Sequence, residues 1–498
     1  MDQTLGNPFG ADLYRGVRHG VRRWRGLRAG RAQRSLKALP VAAYGGACDV
    51  VCRATGVAGC IDVPLETAET RAMNPSGPDT HSRSVEWSNP DYSRVPFALY
   101  HCPDWYALEM ERIFRGPTWS YLCLEAELPH KGDFVTTYVG DTPVVVSRAD
   151  DGEVHAFVNR CSHKGALIVR QPRGNARAHT CIYHRWTYTR DGRLSGIPFR
   201  VGIDGQGGMP KDFDPGCHGP QKLRVSAMGG LLFGTFAPST EPLADYLGEF
   251  GCELIGRFGA RPLEVLGYSR QQIQGNWKLY AENLRDTYHA SLLHEFFVTY
   301  GVDRATQRGG VRMDERHRHN MNYAFGGSDT DAKAKAVYAD TAARLDRMKL
   351  SDERLLHYES EFADGMNLAT PTIFPNLAAI QINNSLAVRQ VRPQGVDRFE
   401  IFQTVVGYAD DSAEMRRHRL LSANLVGPAG LVSMEDGEAI EIIQRATRAE
   451  RAGQTTVIEM GGRGPVHDQA HRATEAPVRG FWSYWAELMG VSAPGGIQ

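Results

Sequence analysis

Asp286, His289 and His294 form D-x-x-H-x4-H within residues 276–294 (NWKLYAENLRDTYHASLLH), a stretch that otherwise patterns as a helix. Two imidazoles joined by a carboxylate from elsewhere suit a ferrous ion held on one face, leaving the other face open to dioxygen or water. Asp286 and His289 are i,i+3 and share a helix face. His289 and His294 are i,i+5, about 140° apart on a regular α-helix. They converge only where the helix ends, bends or carries a π-bulge. The i,i+4 pair of an H-E-x-x-H zinc protease is absent. Taken alone, two satisfied core histidines explain the pattern equally well.

A second constellation lies upstream. Cys161-Ser162-His163 is followed, after seventeen residues, by Cys181-Ile182-Tyr183-His184. A zinc finger normally keeps its cysteines together and its histidines together. Here each half offers one thiolate and one imidazole, which suits a cluster with chemically different irons, as in a Rieske [2Fe–2S] centre. Structural zinc and chance placement of core residues are the competing explanations. Gly165, and Trp186-Thr187-Tyr188 after His184, supply a tight turn and aromatic cover that favour the cluster.

These residues need elements to position them. Asp104 stands where an N-cap belongs, Tyr106, Met110, Ile113 and Phe114 fall on one helical face, and Gly116-Pro117 gives a stop. From Phe134 the pattern turns to strands, with Asp151-Gly152 as a hairpin signal between β-rich runs. The organisation expected is a basic, disordered or non-native extension over 1–72 and a linker over 73–95. A lead-in helix over 96–119 packs on the catalytic domain, a small β domain spans 120–238, and a larger domain with the second metal motif spans 239–490.

Length and composition agree with several domains. The chain has 498 residues, 42% hydrophobic and 23% charged, too long for one compact core. Lys+Arg and Asp+Glu both total 57, so overall charge favours neither nucleic acid nor an anionic membrane. No apolar run reaches about 18 residues, so a membrane span is not expected. Nine irregularly spaced cysteines read as reduced thiols of a cytoplasmic protein, some committed to metal. Residues 15–37 hold nine basic and no acidic residues; a transit-like or nucleic-acid arm competes with a disordered extension or an over-long start preceding Met73. Cys48, Cys52 and Cys60 lack a partnering histidine at ligand spacing.

From about residue 97 to 485 the chain resembles the large (α) subunits of Rieske non-haem iron aromatic-ring-hydroxylating oxygenases, with both metal motifs in order. The family pattern C-x-H-[RK]-G…C-P-Y-H-G-W is met with Lys164, Ile182 and Arg185 as variants, none a ligand. The resemblance implies an α+β protein: a small all-β Rieske domain plus a larger α+β catalytic domain whose antiparallel sheet is flanked by helices. It implies that Cys161, His163, Cys181 and His184 hold the [2Fe–2S] cluster. The iron falls to His289, His294 and, in GPAGLVSMEDGE at 427–438, Asp436, with Glu435 and Glu438 as neighbouring acids. Asp286 is implied to bridge His184 of an adjacent subunit to His289 as the electron route, with Asn283 near the iron.

The function implied is a terminal oxygenase component that uses O2 and electrons from NAD(P)H to hydroxylate an aromatic ring. No G-x-G-x-x-G follows a strand, so a separate flavin reductase, with or without a ferredoxin, must supply the electrons. A homotrimer, α3 or α3β3 with a small β subunit, is implied. The run NWKLYAENLRDTYHASLLHEFF is most similar to the salicylate hydroxylase and anthranilate dioxygenase type, hence a salicylate-, anthranilate- or benzoate-like acid. Side-chain monooxygenation or O-demethylation, and dioxygenation of a non-carboxylated arene, are the alternatives. Arg312, Arg316, His317 and Arg389 are candidate partners for a substrate carboxylate.

Overall fold

A computed structural model describes residues 87, 89–338, 348, 350–449 and 453–491. The features read on residues 1–72, Met73 and most of the 73–95 stretch lie outside these residues. The end of that stretch is not linker. Trp87 is buried, edge-to-face with Trp482 and Trp485 at centroid distances of 5.9 and 6.3 Å, and the amides of Thr456 and Ile458 donate to Val95 and Ser93. Tyr92 packs on it locally at 5.0 Å, but the two tryptophans lie at the far end of the chain, so the polar, proline-bearing local composition gave no sign of its burial.

The lead-in helix Pro103–Glu109 is capped at Cys102 with Pro103 in its first turn, and Asp104 sits inside that turn rather than at the cap. It runs into a π turn, Met110–Phe114. The apolar face is buried as expected, with Trp105 against Trp485 and Phe114 against Trp277.

The all-β domain is built from β1 (Ser120–Leu124), β2 (Asp133–Val139), β3 (Thr142–Arg148), β4 (Val154–Val158), β5 (Arg173–Asn175), β6 (His179–Thr180), β7 (Thr187–Tyr188), β8 (Leu194–Gly196), β9 (Lys222–Met228) and β10 (Leu231–Thr235). One sheet has the order β1-β10-β9-β4-β3-β2-β5, and β6-β7-β8 form a small second one. The β-branched run of β3 pairs with β4 across the 149–153 turn, where Gly152 takes φ 88°; this is the hairpin that Asp151-Gly152 signalled.

The larger domain has β11 (Leu263–Ile273), β12 (Gly309–Met313), β13 (His319–Ala324), β14 (Leu368–Ile373), β15 (Leu377–Ile382), β16 (Ser385–Pro393) and β17 (Phe399–Tyr408). They form one antiparallel sheet in the order β11-β17-β16-β15-β14-β13-β12. Every residue of β15 and β16 is buried, because both faces of these central strands are covered. Helices Leu243–Phe258, Ala413–Val426, Leu431–Thr447 and Ala476–Met489 flank this sheet. The architecture is the α+β arrangement expected from sequence.

Candidate functional site

The cysteine–histidine loops are near copies of each other. In each, the cysteine amide donates to the carbonyl five residues on (Cys161 to Ala166 at 2.8 Å, Cys181 to Trp186 at 2.9 Å). In each, the residue four on donates back to the cysteine carbonyl (Gly165 at 2.9 Å, Arg185 at 3.0 Å). Both back-donating residues are left-handed, Gly165 at φ 74° and Arg185 at φ 59°. Only the first is the residue type that adopts this without cost. Cys161 and Cys181 are 3% and 1% exposed within an apolar cluster, while His163 and His184 are exposed with ring centroids 4.5 Å apart. Inner thiolates and outer imidazoles are the donor set a Rieske cluster requires. Trp186 stacks on His163 at 4.8 Å. Tyr188, expected only as aromatic cover, also places its hydroxyl 3.1 Å from Cys161 Sγ and accepts from the Ser162 amide at 3.0 Å.

The 276–294 stretch is two short helices rather than one, and a third begins at Glu295. Asn276 caps Trp277–Asn283 by accepting from the Lys278 amide. The chain then turns, and Asp286 Oδ1 accepts the amides of Tyr288 and His289 at 2.7 and 3.2 Å, restarting the helix as Ala290–Leu293. His294 breaks it again at φ −88°, ψ 77° before Glu295–Tyr300. The helical turn thus ends at the second histidine, and the His289 and His294 ring centroids lie 5.4 Å apart.

Asp436 meets them from helix Leu431–Thr447, its Oδ1 lying 3.4 Å from His289 Nε2 and 3.3 Å from His294 Nε2. One ligand atom from each of the three residues lies within 4.8 Å of the others, a geometry able to hold one metal ion with a face left open. Gly437, next in the helix, permits this approach, since a Cβ there would sit 2.7 Å from Gln271 Nε2 on β11. Asn283 Nδ2 donates to Asp436 Oδ1 at 2.9 Å and lies 3.2 Å from His289 Nε2. Of the neighbouring acids, Glu438 is exposed. Glu435, named from sequence as a neighbouring acid, reaches the far nitrogen of His294, Nδ1, at 2.7 Å. Asp286 Oδ2 takes the matching place on His289 Nδ1 at 3.3 Å. Each imidazole thus has a carboxylate behind it and turns Nε2 to the shared centre.

Burial pushes His289 down, but Asp286 and Asp436 outweigh it and raise it to about 10. His294 is raised by the same balance, with Asp436 first and then Glu435 opposing burial. Burial pushes Asp436 up, and the two histidines more than reverse this, holding it well below the usual carboxylate range.

The three residues open on a cavity of about 600 Å³ counted to its mouth, walled by Phe297, Leu368, Ile380, Ile382 and Val432. Arg389 on β16 and Arg472 also line it. Arg472 is neutralised by a two-pronged pair with Asp303. Arg389 is buried yet among the described residues meets only neutral acceptors: Gln403 at 2.7 Å, Tyr280 and the Val426 carbonyl at 2.8 Å, and Ser433 at 3.0 Å. The other candidate cations lie elsewhere. Arg312 pairs with Glu253, Arg316 with Glu487, and His317 packs against Gly480. No local pattern marked Arg472, whose neighbours in space are remote in sequence.

Comparison with known proteins agrees with this geometry. Residues 118–205 match the Rieske [2Fe-2S] domain, and residues 256–491 match the ring hydroxylating alpha subunit (catalytic domain). The terephthalate 1,2-dioxygenase terminal oxygenase component subunit alpha 2 of Comamonas sp. is 45% identical, over 82% of this chain and 98% of its own. The anthranilate 1,2-dioxygenase large subunit of Burkholderia cepacia is also 45% identical, over 82% and 96%. The salicylate 5-hydroxylase large oxygenase component of Ralstonia sp. is 40% identical, over 81% and 96%. Naphthalene 1,2-dioxygenase from Rhodococcus sp. shares the fold at TM-score 0.64 and 24% identity, over 80% of this chain and 94% of its own. The chain therefore belongs to the Rieske non-haem iron ring-hydroxylating oxygenases as a large, alpha-type subunit, whose cofactors are a [2Fe–2S] cluster and a mononuclear iron.

Proposed function

We propose that this subunit hydroxylates the ring of an aromatic acid, with Arg389 receiving the substrate carboxylate. The observation that carries this reading is a buried guanidinium with no carboxylate partner among the described residues, on the wall of the cavity that His289, His294 and Asp436 face. A buried cation answered only by neutral groups is costly until an anion joins it. The apolar walls accept a ring beside that anion. The relatives named for terephthalate, anthranilate and salicylate support the same substrate class.

In this reading Cys161, His163, Cys181 and His184 hold the cluster, and His289, His294 and Asp436 hold the iron. The bound groups supply single-electron transfer and dioxygen activation. Asn283 fixes Asp436 and the face of His289, and Asp286 links His289 to a cluster histidine. Among the described residues the Asp286 carboxylate meets Tyr288 and His289 and no residue of the cluster loops of its own chain. A cluster histidine supplied by a second copy, in a homotrimer closed head to tail, completes this reading. A separate NAD(P)H-dependent reductase, with or without a ferredoxin, delivers electrons in the cytoplasm, and α3β3 assembly with a small β subunit is the alternative to α3.

The test is turnover of a panel of benzoates and matching uncharged arenes with a surrogate reductase, following O2 uptake against product. Coupled turnover restricted to the acids is expected. Equal turnover of the uncharged arenes would remove the role of Arg389.

A further inference from the structure

Behind the metal-facing wall lies a second cavity of about 570 Å³ counted to its mouth, with room for several waters. Asn283, Asp286 and His289 line both cavities, so these side chains are the partition between them. Glu282 and Glu475 face the outer space, and the exposed Ile443 at its rim opens it to solvent. Glu282 Oε1 is fixed by Tyr100 Oη at 2.6 Å and Trp482 Nε1 at 2.8 Å.

Ring hydroxylation by O2 consumes two electrons and two protons. The O–O bond breaks, and either two C–O bonds form, giving a dihydrodiol, or one C–O bond and a water. The reductase supplies the electrons. Every carboxylate lining the inner cavity is already engaged: Asp436 by two histidines, Asp303 by Arg472, and Asp286 by two amides and His289. We infer that Glu282 is the proton-delivery group of this site, passing protons through water in the outer cavity to the Asn283–Asp286–His289 partition and regaining them from solvent. This inference rests on the oxygenase reading above.

The surroundings of Glu282 suit the task. Burial pushes its carboxyl up, and Tyr100, Trp482 and Lys278 pull it back, leaving it at about 7. Glu475 adds like-charge repulsion and is itself raised by burial. The Lys278 charge is largely spent on Glu109, 2.7 Å away. Helix Leu431–Thr447 presents only Ala439, Ile440 and Ile443 to this cavity.

The experiment compares wild type, Glu282→Gln and Tyr100→Phe as reconstituted holoenzymes. Wild type should lose turnover on an alkaline limb near pH 7 and show an infrared carboxyl band titrating there. Glu282→Gln should keep its iron and its cluster spectrum, lose that band, and turn over roughly tenfold or more slowly with a larger solvent isotope effect. Tyr100→Phe removes a donor to the carboxylate, so its limb and band should move to higher pH; it decides the matter should the glutamine variant not fold. A wild type that turns over no aromatic acid overturns the functional reading. Normal turnover, with pH profiles unmoved in the variants, overturns the role of Glu282 alone.

Discussion

Asp286 Oδ2 lies 3.3 Å from His289 Nδ1 while Oδ1 of the same carboxylate caps the helical turn that carries His289. One side chain thus sets both the backbone position of the imidazole and the nitrogen it turns to the metal. Asp286→Asn keeps an oxygen for the cap but loses the charge facing Nδ1. The variant should retain about three irons per chain and its cluster spectrum, yet fail to couple reductant to product. Normal hydroxylation by this variant would show that Asp286 is not on the electron route.

Glu435 does for His294 what Asp286 does for His289. Glu435→Gln should weaken iron binding by roughly 10–100-fold, measured by chelator competition. Cluster content should stay at the wild-type value, since the cysteine–histidine loops lie in the other domain.

How much of this was legible beforehand follows from where each constraint resides. Ligand types and spacing are local, so both metal motifs and the need for a helix break before His294 could be read directly. The choice of Asp436 over Glu435 depends on which side of helix Leu431–Thr447 faces the histidines. Neighbours on a helix differ by about 100°, and composition does not say which points inward. Trp87 was hidden for a similar reason, because Trp482 and Trp485 give its neighbourhood meaning. Arg389 could be named but not chosen, since burial without a counter-charge is a property of the folded cavity.

The metal-free site also carries a pH signature. His289 rises from its ordinary 6.5 to about 10 in the folded chain. Its contribution to apo-protein stability is complete below pH about 6.5 and fades as pH climbs through about 10. Iron must displace that proton. Iron affinity should therefore increase by up to about tenfold per pH unit for each proton released, between neutrality and pH 9. Isothermal titration in buffers of different ionisation enthalpy would count the protons.

Arg185 occupies a left-handed position at φ 59° where its counterpart in the first loop is glycine. Arg185→Gly should relieve about 1 kcal/mol of backbone cost, seen as a higher denaturation midpoint with the cluster's visible spectrum kept. An unchanged midpoint would mean that contacts of the arginine offset the strain.

Oxygen from O2 is expected to enter the ring of an acid bound beside His289, His294 and Asp436. The direct measurement is a single turnover of the reduced holoenzyme with an aromatic acid under 18O2, followed by mass spectrometry of the product. A hydroxylated acid carrying 18O is the expected result. A product labelled only from water, or O2 consumed to peroxide with every acid offered, would contradict it.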